Sequence, residues 1–318
     1  MRRIVVRMSA VFAMVIFSFT LAGCPTQASY PSTITPIYAA TNLGLEVYDG
    51  TSWKNYTTAN GLASNNVTSV VVSGSGSGAV VFVGTAANGI SYSTGSTWST
   101  WTIANGLGSN VINNLFLTSN LYAATSSGLS IYNYDSSAPL WTTSILGASS
   151  INGVNQYGGY TYIAADKLYI YNGTEPRTSY AANLIVASSS IVTAVIVDSN
   201  MDIIAATDKG VAFLGYGASS FVTLSLPPSA TQVNGMFLDN NGYLYAATAT
   251  GLYNEGGSSA LPILSGNVHC VYVDGAGTIY AGTDTGLKTS TNGGSTWSTS
   301  TWSAKVNAVV TTAPLYSF

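Results

Sequence analysis

The side chains able to do chemistry are few. His269 is the single histidine, cysteine occurs only at Cys24 and Cys270, and Arg177 is the only arginine beyond Arg2, Arg3 and Arg7. A nucleophilic triad needs a general base, and only His269 is available for that role. Metal binding would draw on His269 and on scattered acids such as Asp49, Asp135 and Asp284, which show no ligand spacing. An ion held by Asp and backbone carbonyls near the centre of the fold is the one metal arrangement left open. No catalytic residue, metal site or cofactor is therefore assigned, and an enzyme is the less favoured reading.

Cys24 has a different chemistry in prospect. Arg2, Arg3 and Arg7 precede an apolar run from Met8 to Leu21, too short to span a bilayer and with the charge order of an export signal. The run ends in Leu21-Ala22-Gly23-Cys24, which resembles the lipobox of bacterial lipoproteins. That resemblance implies cleavage before Cys24, lipidation of its thiol and, with Pro25 following, an outer-membrane destination in the cell envelope. An ordinary signal cut beside Ala22-Gly23 is the competing reading. The expected organisation is a signal peptide over 1–23, a tether over 24–35 and one domain over 36–318. With Cys24 lipidated, Cys270 has no disulfide partner.

Removing the signal takes three of nine basic residues and none of twelve acids, so the remainder carries a formal charge of −6. A chain so poor in cations has no electrostatic footprint for nucleic acid or an anionic membrane surface. Membrane contact is expected through the lipid alone. Charged residues are 7% of the sequence, replaced by Ser, Thr, Asn and Tyr, as suits an exported all-β protein.

Two repeated motifs define the elements that must position these residues. Tyr-Ala-Ala-Thr-x-x-Gly-Leu, with variants, occurs seven times; its fourth positions are Thr41, Thr85, Thr125, Ala165, Thr207, Thr248 and Thr283, spaced by 44, 40, 40, 42, 41 and 35 residues. A second motif, apolar-polar-small-apolar, starts at Val67, Ile112, Ile151, Val192, Val233, Val268 and Val306. The series are out of phase. The first Thr motif has no partner before it, and the last partner, Val306 to Thr312, has no Thr motif after it, the next aromatic position falling at Phe318. The pattern predicts an all-β, seven-bladed β-propeller of four-stranded antiparallel blades, closed by strands from both termini. The apolar-polar-small-apolar segment is the innermost strand, the Thr motif the second, Gly-Leu the third, and stretches such as Ser52 to Tyr56 the fourth. Ala39, Ala40, Ala123, Ala124, Ala246 and Ala247 are expected where blades approach closely. Asp166-Lys167 in the fourth copy implies a shorter turn.

The second position of the innermost strand is polar in every copy: Thr68, Asn113, Asn152, Thr193, Asn234, His269 and Asn307. Seven such groups at the mouth of a channel either hydrogen-bond the backbone of the adjacent blade or form a neutral ring for ligand hydroxyls, with His269 its one titratable member. His269 replaces Asn in a repeat and is expected to do what Asn does. Trp98, Trp101, Trp297 and Trp302 are either blade packing or stacking platforms for sugars.

Ala59-Asn60-Gly61-Leu62-Ala63-Ser64-Asn65-Asn66-Val67, with Phe82-Val83-Gly84-Thr85 and Gly89-Ile90, resembles the repeat of two-component regulator propellers; Ala104 to Asn110 repeats its opening. Ser290 to Trp297 is similar to the Asp-box of sialidase-like propellers, with Asn292 in place of Asp. The first resemblance implies a relative of sensor domains tied to glycan utilisation. The second implies a structural hairpin, since one arginine cannot supply the cluster that sialidases use. The function expected is a non-enzymatic, lipid-anchored propeller binding a glycan or an envelope protein. The alternatives are a propeller-type hydrolase or lyase acting on polysaccharide, and a structural scaffold for envelope assembly.

Overall fold

The computed structural model describes residues 35–311 except 75–77, 95–96, 134–140, 147–148, 174–175, 225, 227–231 and 255–260. Thr35–Phe318 forms one compact unit. The signal peptide, the tether up to residue 34, and Cys24, Thr312 and Phe318 lie outside the described residues. No helix among the described residues is long and apolar enough to cross a membrane.

The unit is a seven-bladed propeller. Seven sheets of four antiparallel strands follow one another, in the order expected within each, as in Val67–Ser73, Val80–Thr85, Ile90–Thr94 and Thr97–Trp101. The exception proves the closure: Val306–Thr311 is the innermost strand of the sheet whose other members are Ile37–Thr41, Gly44–Tyr48 and Trp53–Tyr56. It pairs with the first strand from Ile37↔Thr311 to Thr41↔Val306. Each innermost strand packs against the innermost strands on both sides, and the cycle returns from Val306–Thr311 to Val67–Ser73. The inner edges of the sheets thus face one another around a closed ring.

The second strands show why the repeat reads as it does. Ile203–Thr207, Leu244–Thr248 and Ile279–Thr283 are of low exposure along their whole lengths, because blades cover both faces. The six alanines named above are buried in these strands. Across the innermost pair, volumes compensate in every blade but one, where Asn114 faces Ala124. Ala308 faces Ala40, Ala194 faces Ala206 and Gly235 faces Ala247, whereas the larger Ser69 and Cys270 face Gly84 and Gly282. A Cβ on Gly84 would lie 2.4 Å from Ser69 Oγ and 2.7 Å from Ile112 Cγ2.

The motif threonine closes the next turn on itself. Thr41 Oγ1 donates to Gly44 O at 2.7 Å and accepts from Leu43 N at 3.1 Å. The same donation recurs at Thr85, Thr125, Thr207, Thr248 and Thr283. Gly44 is required here, with φ of 134° and no room for a Cβ against Tyr56 O. Where Ala165 removes the hydroxyl, the turn is a residue shorter and Ala165 N donates to Lys167 O. At the opposite ends of the blades, Asp198, Asp239 and Asp274 accept backbone N–H groups of their own turns, the local bonding expected of Asp there.

The Ala-Asn-Gly-Leu segments are crossovers between blades. Thr57 and Asn60 cap each other around a single 3₁₀ turn, as do Thr102 and Asn105. Leu62 and Leu107 are buried beneath them. A short helix, Ala182–Ile185, occupies the corresponding place after the Pro176–Ala181 strand; the sequence pattern did not signal it.

Gly84→Ala is expected to destabilise the fold by about 1–3 kcal/mol through overpacking. Ser69→Ala alone should cost little, because the buried Ser69 Oγ has no hydrogen-bond partner among the described residues. Ser69→Ala with Gly84→Ala recreates the Ala–Ala pair of other blades and should recover part of the loss. Urea denaturation of the three variants checks this, and an additive double variant would contradict it.

Candidate functional site at the channel mouth

Six of the seven innermost strands begin with a β-bulge at the second position. Residues 68, 113, 193, 234, 269 and 307 are skipped in the register, as where Val67 faces Thr85 but Ser69 faces Gly84. A bulge leaves one residue unpaired and re-aims its side chain. Here the chain is turned toward the next blade.

The consequence is a belt. Thr68 Oγ1 donates to Ile112 O at 2.6 Å, Asn113 Nδ2 to Ile151 O at 2.8 Å, and Asn152 Nδ2 to Val192 O at 2.8 Å. Thr193 Oγ1 donates to Val233 O at 3.0 Å, Asn234 Nδ2 to Val268 O at 2.8 Å, and Asn307 Nδ2 to Val67 O at 2.7 Å. Each side chain thus satisfies the carbonyl of the first motif residue one blade ahead. Those first residues are themselves buried, so a carbonyl left unpaired would carry a desolvation penalty.

His269 breaks the series, which corrects the expectation that it does what Asn does. Its Nε2 donates instead to Asp284 Oδ1 at 2.6 Å, in the turn between the second and third strands of its own blade. Asn267 Nδ2 donates to the other carboxylate oxygen at 3.1 Å. Cys270 Sγ, and not His269, faces the Val306 carbonyl ahead, at 4.0 Å. The hydrogen bond from His269 holds the Asp284 carboxyl below its ordinary range against an opposing desolvation, with Asn267 and the charges of His269 and Lys305 contributing less.

All seven expected residues come together. They line one cavity of about 540 Å³ at the mouth, with Asn66, Ala86, Ile191, Gln232, Val233 and Lys305. Asp284 and Lys305 were not singled out as mouth residues from the sequence. Lys305 stands just before an innermost strand and Asp284 directly after a motif threonine, so the repeat register itself holds the signal for both.

The aromatic pairs belong to packing. Trp101 stacks on Tyr92 with ring centroids 4.0 Å apart and meets Trp141 edge-on. Trp98 packs against Tyr56, and Trp302 against Trp53. Trp297 Nε1 donates to Ile263 O and Gly294 O at the hairpin where Asn292 Oδ1 accepts from Thr296 N. Burial pushes the Cys270 thiol up to about 12, so it is no nucleophile at neutral pH. Among the described residues, no three His, Cys, Asp or Glu side chains gather as a metal site would require.

No family model and no curated protein matches the chain. Solved structures do match in fold. The extracellular domain of a B. thetaiotaomicron protein described as a hybrid two-component system aligns at TM-score 0.58 and 18% identity, over 74% of this chain and 32% of that one. PorZ, a surface component of the type-IX secretion system of Porphyromonas gingivalis, aligns at 0.56 and 17%, over 82% and 47%. An ancestral GH74 enzyme aligns at 0.55 and 16%, over 86% and 39%. The chain thus spans less than half the length of each of these three. At such identities they share its propeller fold and nothing finer.

Asn152→Ala, Asn234→Ala and Asn307→Ala are each expected to lower stability by about 1–3 kcal/mol, since each orphans a buried carbonyl. His269→Ala should cost distinctly less, its carboxylate partner being more than half exposed. Chemical denaturation of the four variants would reveal whether His269 stands apart; equal losses would show that it does not.

Proposed function

We propose that this chain is a non-enzymatic, lipid-anchored propeller of the bacterial envelope that binds a saccharide at the channel mouth. One observation carries the reading. The belt consumes one donor from each of six side chains, and the remaining amide and hydroxyl oxygens belong to residues lining a cavity of about 540 Å³. That volume is ordinary for a small-ligand site, and neutral oxygens suit hydroxyl groups. The belt also fixes the amides in orientation before any ligand arrives, which lowers the ordering cost of binding.

The Ile37–Thr41 strand runs toward the mouth, ending at the turn whose Asn42 bonds to Lys305. The solved structures of similar fold include extracellular and surface components, which supports an envelope location.

The short His269–Asp284 bond favours a second reading as a hydrolase or lyase, with His269 as the base. An activity on polysaccharide that His269→Ala abolishes at unchanged stability would establish that reading instead.

Residues 24–318 are expected to bind at least one saccharide on a glycan array, and Ala86→Trp, which crowds the cavity without touching the belt, should remove that binding. Capture of an envelope protein with a blank array would move the function to a protein partner; blanks in both would defeat the binding reading. Cys24→Ser should abolish incorporation of a fatty-acid analogue and release the protein from the membrane fraction. Retention of both would return the N-terminus to an ordinary signal.

A further inference from the structure

We infer that the saccharide taken at the mouth carries a carboxylate, and that Lys305 receives it. The inference rests on the saccharide reading above and adds the charge of the ligand. Among the described residues, Lys305 and His269 are the charged or titratable side chains that line the cavity itself, with Asp284 just behind His269.

Lys305 is placed by its backbone and left free at its tip. Its N–H donates to Asn42 Oδ1 at 3.0 Å, and its carbonyl accepts from Asn42 N at 3.1 Å. Its ammonium has no ion-pair or hydrogen-bond partner among the described residues. The acid that would most readily neutralise it is Asp284, whose two carboxylate oxygens are already engaged by His269 at 2.6 Å and Asn267 at 3.1 Å. The departure of His269 from the belt therefore has a use: it occupies the competing carboxylate.

The geometry then divides the ligand. Amide and hydroxyl oxygens fixed by the belt accept from its hydroxyls, while Lys305 faces its single negative charge. A phosphate would bring more charge than one lysine offsets. A neutral sugar would give the exposed Lys305 ammonium no charged partner in the ligand.

Calorimetry on residues 24–318 tests this with oligogalacturonate, alginate and hyaluronan oligosaccharides, each paired with its carboxyl-reduced form, in which –COO⁻ becomes –CH₂OH. At least one acid should bind, about tenfold or more tightly than its reduced form, as a hydrogen bond to a charged group predicts. Lys305→Gln should lose the same factor for the acid and nothing for the reduced form. Equal binding of both forms to the unsubstituted protein would overturn this inference and leave the saccharide reading standing. Equal loss on both forms in Lys305→Gln would assign Lys305 a structural role and also overturn it. Binding of neither form for any pair, together with a blank neutral panel, would overturn both readings.

Discussion

A buried carbonyl that a β-bulge has taken out of its ladder is the constraint on which the ring depends. Each bulge near the start of an innermost strand coincides with a buried backbone acceptor at the preceding Val or Ile. The second-position side chain one blade earlier answers it, at Asn152 without a bulge in its own strand. Problem and solution lie at the same repeat position, so they match only if every blade has a neighbour on both sides. Asn307 bonding to Val67 O makes that true across the chain termini. Closure through the Val306–Thr311 strand is therefore a matter of hydrogen-bond completeness as well as of covering an edge.

Much of this fold was legible because its two motifs are local. The threonine mark, the Gly-Leu that follows and the offset between the series each reflect short-range turn chemistry or strand pairing. The bulge was not legible. A single unpaired residue leaves no trace in the spacing of one strand and exists only as a slip against its partner, as at Val268/Cys270 against Thr283 and Gly282. Without the bulge, seven polar residues at one position are equally a binding ring and a structural one; the structure makes six of them structural links, and all seven line a cavity. His269 misled because the rule that a substitute does the work of what it replaces holds only where geometry permits. Asp284 competes for the imidazole from a turn fifteen residues away in sequence.

A repeat that must satisfy itself blade by blade has little room to vary, and one position departs from it. Six links tie each blade to the next at the mouth. At the seventh, His269 and Asn267 bond Asp284 instead, and the Lys305 charge acts on the same carboxylate. The large aromatics, by contrast, pack against one another and against the crossovers.

The claim that the belt is real and lacks one link at His269 is tested most directly by restoring it. In His269→Asn, the amide should donate to the Val306 carbonyl as Asn234 does to Val268. Native-state hydrogen exchange, compared with the unsubstituted protein, should then show added protection concentrated in Val268–Val273 and Val306–Thr311, with the other five innermost strands nearly unchanged. The gain should be about 0.5–1.5 kcal/mol, the net worth of one such bond. No gain, or a gain spread evenly around the ring, would contradict the belt.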